Sequence, residues 1–155
     1  MLSKVIGFAA LLVASAPAAA APQVSLFNEI KVVRTTTAPS GKVTTSLVDP
    51  KVVTPGDRLR LVLTYANKSN EPAKDFAVTN PMPAGVVFAG GESAGAMVSV
   101  DGGKIFGSLG ALKVMDGSGQ TRPAVMADVT HVRWKFANPI EAGEQGTLKF
   151  EALVK

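Results

Sequence analysis

Few side chains in this sequence can do acid–base or nucleophilic chemistry, and their spacing limits what each can do. His131 is the sole histidine, and there is no cysteine. A hydrolytic triad built on His131 needs Asp128 or Asp116 to orient the ring and one of several serines as nucleophile. His131 falls in the alternating run Asp128–Asn138, DVTHVRWKFAN, on the side of Arg133 and Lys135 and opposite Trp134. That parity puts it on the surface of a sheet rather than in a cleft. A single histidine without thiolates also supplies no transition-metal ligand set. Asp57, Asp75, Glu141 and Glu144 could act as paired carboxylates on a glycoside only if two of them faced each other across a cleft. Each lies in or beside a turn signal, and a turn role accounts for it. Asn67-Lys68-Ser69 matches a glycosylation sequon and reads as a plain turn, because the leader is bacterial in type. No catalytic, cofactor-binding or metal-ligating residue is assigned, and no cofactor is expected.

One further stretch carries a local motif. Ser99–Phe106, SVDGGKIF, resembles the Asp-box hairpin S-x-D-x-G-x-T-W, with Ile105 for Thr and Phe106 for Trp. In sialidase-type propellers that motif is a structural turn whose Asp ties down backbone N–H groups. A single copy cannot make a propeller, so the resemblance implies a stabilised hairpin turn. A calcium site at Asp101 or Asp116 would need spaced oxygen ligands, which neither loop provides.

The elements that would position these residues are strands. In Arg58–Ala66, Leu59, Leu61, Leu63 and Tyr65 alternate with Arg58, Arg60, Val62 and Thr64, the period of a strand with one buried face. Each inward side chain contributes roughly 1.5–3 kcal/mol on burial, before entropy is subtracted. Pro55-Gly56-Asp57 turns the chain before this strand, and Asn67–Pro72 closes it. Phe76 and Val78 resume the alternation until Pro81 and Pro83, which cannot donate to a ladder, end it. Val24–Arg34 reads as a long first strand, with Val24, Leu26, Ile30 and Val32 on one side and Phe27 and Val33 on the other. Thr35–Gly41 has the composition of a loop, and Lys42–Val48 that of a polar edge strand. After a short strand ending at Phe88, the Gly-rich stretch to Met97 reads as loop, and Met97–Phe106 as a hairpin. Leu109–Met115 is one more short strand, and Thr121–Asp128 holds a single helical turn. In Gly146–Val154, Leu148, Phe150, Ala152 and Val154 point inward. The preceding Ile140–Glu144 repeats the turn logic of Thr54–Asp57. Short strands between turn signals predict an all-β fold: an immunoglobulin-like antiparallel β-sandwich without a disulfide.

Length and composition bound the rest. The chain has 155 residues, enough for one domain behind a leader. A charged start at Met1–Lys4, an apolar run at Val5–Val13 and the small residues of Ser15–Ala21 follow the pattern of a secretory signal peptide cleaved after Ala20. The expected organisation is therefore a signal peptide over residues 1–20 and a single sandwich over 21–155, periplasmic or at the cell surface. The apolar run is too short for a permanent membrane helix, and no stable membrane insertion is expected after cleavage. The net charge of +4 is spread among acidic residues, which marks a mixed-charge surface and argues against a nucleic-acid partner.

The run Val53–Phe88, VTPGDRLRLVLTYANKSNEPAKDFAVTNPMPAGVVF, and the ending His131–Val154, which together cover most of Val52–Val154, resemble the conserved-repeat domain of bacterial and archaeal surface proteins, catalogued as domain of unknown function eleven. The shared features are a PGD turn, a strand ending in an Asn turn, a P-x-G corner, a Trp strand, an A-G-E turn and an alternating last strand. Where the family has Asp-x-x-P, this chain has Asn80-Pro81-Met82-Pro83, and it holds a single copy. The resemblance implies an exported module with structural or adhesive duties and no established catalytic residues. The partners it implies are proteins or an envelope surface, including a second copy through exchange of the Val24–Arg34 strand. A glycan- or envelope-ligand-binding module is the alternative, and an envelope hydrolase the third class.

Overall fold

A computed structural model describes residues 23–155; the expected signal peptide and its cleavage point lie outside the described residues. Ten strands follow in order: β1 (Val24–Thr37), β2 (Val43–Val48), β3 (Arg58–Asn67), β4 (Ala77–Pro81), β5 (Val86–Gly91), β6 (Met97–Ser99), β7 (Lys113–Met115), β8 (Thr121–Pro123), β9 (His131–Lys135) and β10 (Gln145–Val154). All pairings are antiparallel, giving a larger sheet ordered β2-β1-β3-β10-β5, a smaller one ordered β4-β9-β6, and the separate β7-β8 hairpin. The last strand runs inside the larger sheet, between β3 and β5.

The two sheets face each other across one core. Leu59, Leu61 and Leu63 of β3 and Leu148, Phe150 and Ala152 of β10 pack against Val78 of β4 and Val132 and Trp134 of β9. The rings of Trp134 and Phe150 lie 6.0 Å apart and join the layers. The inward set read from the alternation of β3 and β10 is buried except at its ends, where Tyr65 and Val154 are half-buried against the core. Tyr65 is held differently from the leucines, lying opposite Gly146 with its ring edge-on to Phe136 at 4.9 Å. A Cβ at position 146 would sit 2.4 Å from the Tyr65 hydroxyl oxygen, so glycine there makes room for the ring.

The end of β3 is locked by a polar side chain. Asn67 is 1% exposed. Its Nδ2 donates to the carbonyls of Glu71 (2.8 Å) and Ile140 (2.9 Å), and its Oδ1 accepts from Ser69 N (3.0 Å) and Ser69 Oγ (2.7 Å). Its backbone N–H donates to Glu144 O, and its carbonyl accepts from Gly143 N. Every hydrogen-bonding group of this buried residue is used, the condition under which a buried amide stabilises a fold. The predicted plain turn is therefore a junction joining three segments.

The two turns that share sequence logic also share geometry. Thr54 N donates to the Asp57 carboxylate while Asp57 N donates to Thr54 O. Glu141 N donates to the Glu144 carboxylate while Glu144 N donates to Glu141 O. The intervening Gly56 (φ 89°) and Gly143 (φ 77°) are left-handed, the conformation the turn demands.

Five expectations about local structure are corrected. Leu109–Ala111 forms a 3-10 turn, and the strand expected over Leu109–Met115 is confined to Lys113–Met115. Thr35–Thr37 is strand rather than loop, because β-branched residues paired with Val43–Thr45 favour extended backbone without burial. The turn itself is confined to 38–42, where Gly41 N donates to Ala38 O and Ala38 N to Lys42 O. Ala89–Gly91 is also strand, carried past a bulge opposite Glu151 and Ala152 that skips Ala89. The stretch Met97–Phe106 forms no extended hairpin: β6 pairs with β9, and only Val98 and Gly107 bridge. Finally, Thr121–Pro123 pairs with Lys113–Met115 as strand, and the helical turn shrinks to a 3-10 turn at Met126–Asp128.

Candidate interaction surface

β1 is too long for the sandwich that holds its first half. Val24–Val32 pairs with β3, while Val32–Thr37 pairs with β2 on the opposite edge. Beyond Val32 the β1–β2 ribbon therefore leaves the body as an arm. Every residue of β2 is exposed. Cross-strand neighbours supply what cohesion it has: Val33 opposite Leu47, Thr35 opposite Thr45 and Thr36 opposite Thr44.

Ion pairs fasten the base of the arm. Arg34 forks onto both carboxylate oxygens of Asp57, at 2.5 and 3.2 Å. The Arg34 guanidinium, with the Thr54 N–H, holds the Asp57 carboxyl below the usual carboxylate range. Lys31 lies 2.7 Å from both Asp49 and Glu29, and these carboxylates push its ammonium up to about 12. Lys31, Arg34, Leu47, Val48, Asp49, Lys51 and Val52 line a shallow hollow of about 640 Å³ in the angle between arm and body. A second, more apolar hollow of about 520 Å³ lies under the linker, between Ile30, Pro50, Val53, Pro55, Pro83 and Val86.

Exposed apolar side chains are frequent along these elements. Among the described residues, seven of the eleven large exposed hydrophobics belong to β1, β2 and the linker that follows: Leu26, Phe27, Val43, Leu47, Val48, Val52 and Val53. Phe27 is 64% exposed and Val52 75%. Leu47, Val48 and Val52 meet in the hollow at the base of the arm, while Leu26 and Phe27 lie farther back on β1 on opposite faces of the strand. Exposed apolar side chains beside strand backbone left open at an edge are what an interaction site presents.

The residues considered for catalysis are placed apart or engaged elsewhere. Among the described residues the only side-chain hydrogen bond of His131 is between Nδ1 and Thr130 Oγ1 at 3.1 Å, and no serine hydroxyl or carboxylate bonds it. Asp128 is held by Arg122 through two 2.7 Å contacts and by Val125 N, and the guanidinium lowers its pKa to about 2. Asp116 accepts from Ser118 Oγ, Ser118 N and Gln120 N in the β7–β8 turn, bonds that lower its pKa. Asp57 and Glu144 serve the two equivalent turns, and Asp75 occupies a left-handed position with φ 53°. Among the described residues no three metal-capable side chains gather.

The Asp-box-like segment does what its resemblance implies at the level of a turn. Asp101 Oδ1 accepts from Ser99 Oγ (2.6 Å), Lys104 N (3.1 Å) and Ile105 N (3.0 Å), and these donors hold its carboxyl below the usual range. The turn folds over the outer side of β9: Gly103 approaches the His131 ring, and Phe106 lies 3.6 Å beneath the Arg133 guanidinium. Sequence parity found the outward position of His131 but not this cover, because the contact depends on how the turn closes. The arm escaped the sequence as well: the only signal was that β1's apolar pattern fades to threonine without a breaker.

The chain matches no family model, no curated protein and no solved structure.

Proposed function

We propose that the chain is an exported, non-enzymatic, immunoglobulin-like structural and interaction module of the bacterial cell envelope, periplasmic or at the cell surface. It acts by binding proteins or an envelope surface, itself included. Three features support this: the leader pattern, the resemblance to the surface-protein repeat family, and residues with catalytic potential that are occupied in turns. The observation that carries it is the number of exposed apolar side chains on β1, β2 and the linker, with Leu47, Val48 and Val52 meeting in one hollow at the base of the arm.

The test is fractionation of a tagged chain with and without residues 1–20, joined to photo-crosslinking in cells. A crosslinking residue placed at Leu47 or Val52 should give adducts absent from a control at Lys113 on the β7–β8 hairpin. Retention of the full chain in the cytoplasm, or arm positions no more reactive than the control, sinks the proposal.

A second reading, a binding module for a glycan or other envelope ligand, draws on the hollow of about 520 Å³ under the linker. Its lining is aliphatic and prolyl, which suits an apolar segment better than a sugar. Envelope glycan fragments that shift the NMR signals of Val53 and Val86 would favour it over the first.

A further inference from the structure

The backbone of β1 shows which way its unpaired groups point. Lys68 N donates to Gln23 O at 3.0 Å, which marks Gln23–Lys68 as a hydrogen-bonded position of the ladder. Bonding pairs alternate in an antiparallel ladder, so Ser25, Phe27, Glu29 and Lys31 also bond towards β3. The backbone of Asn67, opposite Val24, is engaged with Glu144 and Gly143 on the other side, in agreement. Val24, Leu26, Asn28 and Ile30 therefore turn their N–H and C=O groups away from β3. From Val32 onward that side is taken by β2, which ends at Val48; Asp49 stays against Lys31 at 2.7 Å, and Pro50 lines a hollow with Ile30. Among the described residues a ledge of open strand edge remains along 24–30, closed at one end by β2.

The other edges are defended. β4 ends at Pro81, β5 is broken by its bulge, β6 has three residues, and β2 is exposed on both faces and would bury little by pairing. The β1 ledge contains no proline, glycine or bulge, and it carries Phe27 at 64% and Leu26 at 47% exposure.

We infer that the occupant of this ledge is the same ledge on a second copy, joined antiparallel about a two-fold axis at Phe27. This deepens the interaction-module proposal and rests on it. The register follows from parity: side chains keep to their own face only if even residues pair with even ones. With Phe27 facing Phe27, Leu26 meets Asn28 and Val24 meets Ile30, so the open backbone groups satisfy each other. Ser25 then faces Glu29, and no like charges stand opposite; the shared ladder ends before Lys31, whose neighbouring place Asp49 already holds. The β2 strand of each copy closes one end of the shared ladder and stops it from sliding. The two larger sheets become one continuous sheet, and β1 keeps its own β3 rather than exchanging it. A contact this short gives a concentration-dependent dimer with affinity of order micromolar or weaker.

The absence of cysteine from the chain makes the test clean. In the mature protein, Phe27→Cys should form a covalent dimer on mild oxidation, since a non-bonded antiparallel pair brings Cα atoms to about 4.5 Å, within disulfide reach. Ser25→Cys and Glu29→Cys should cross-link poorly alone and readily when mixed. Leu26→Pro removes an N–H facing the open edge and leaves the β3 ladder whole. It should stay folded by circular dichroism and sediment as a monomer at concentrations where the parent is dimeric. A Phe27→Cys protein that cross-links no faster than Lys113→Cys overturns the inference, as does a parent that stays monomeric towards millimolar. A dimer formed by exchange of β1 would separate the two Phe27 positions and also give no cross-link. Any of these results leaves the envelope proposal standing, because fractionation and crosslinking from the arm are read independently.

Discussion

The body of the sandwich and the arm are both antiparallel sheet, yet opposite physics holds them. In the body, β3, β9 and β10 alternate strictly, and every second side chain enters a shared core. In the arm, β2 buries nothing and depends on ladder bonds, β-branched neighbours and two carboxylate-bound cations at its base. Burial gives a strand a preferred register and a large free energy; pairing alone gives a shape that is cheap to deform. An element made in the second way is suited to meeting a partner.

The contrast can be broken most forcefully in the core. Phe150→Ala should lower unfolding free energy by about 3–5 kcal/mol in urea denaturation, since its ring is fully buried between the sheets. Asn67→Ala should cost about 2–4 kcal/mol, because the carbonyls of Glu71 and Ile140 lose their donor inside the protein. Gly146→Ala should cost about 1–3 kcal/mol by driving a methyl group into the Tyr65 ring, and a second change of Tyr65→Leu should recover part of the loss.

Smaller effects sharpen the same comparison. Asp128 has a folded pKa of about 2 against an ordinary 3.8, so the stability it adds is present above the ordinary value and fades as pH falls towards 2. Thermal melts from pH 7 to 2 should show this loss, and Asp128→Asn should flatten it. Asp57→Asn should speed amide exchange in the arm while leaving the midpoint of global unfolding nearly unchanged. If that variant lowers the midpoint as far as Asn67→Ala does, the arm and body are one cooperative unit and the contrast fails.

What was legible in the sequence divides along the same line. Leu59, Leu61, Leu63, Leu148, Phe150 and Ala152 could be assigned to the core because alternation and burial coincide there. Thr35–Thr37 could not be assigned to a strand, because exposed threonines carry no periodic signal and loops share their composition. The bulge at Ala89 hid the second half of β5 in the same way, since glycine usually marks loop. The outward position of His131 was readable from parity, while its cover by Gly103 was not, because that contact joins segments through a turn closed by Asp101. Asn67 was visible only as a turn former; its junction role needs Ile140, distant in sequence, to be brought alongside.

The engagement of Asn67 Nδ2 also bears on how the protein can be produced. The tripeptide Asn67-Lys68-Ser69 would be recognised in a eukaryotic secretory host, whose glycosyltransferase acts on the chain as it emerges and before it folds. A sugar joined to Nδ2 would remove one of the two protons now given to Glu71 and Ile140, and would need space where Asn67 is 1% exposed. The glycosylated product could not close β3 against the Glu141–Glu144 turn. Yeast or mammalian secretion should therefore yield misfolded material, while bacterial export or a Ser69→Ala sequence would escape the modification, the latter at the expense of the hydroxyl that Asn67 Oδ1 accepts from.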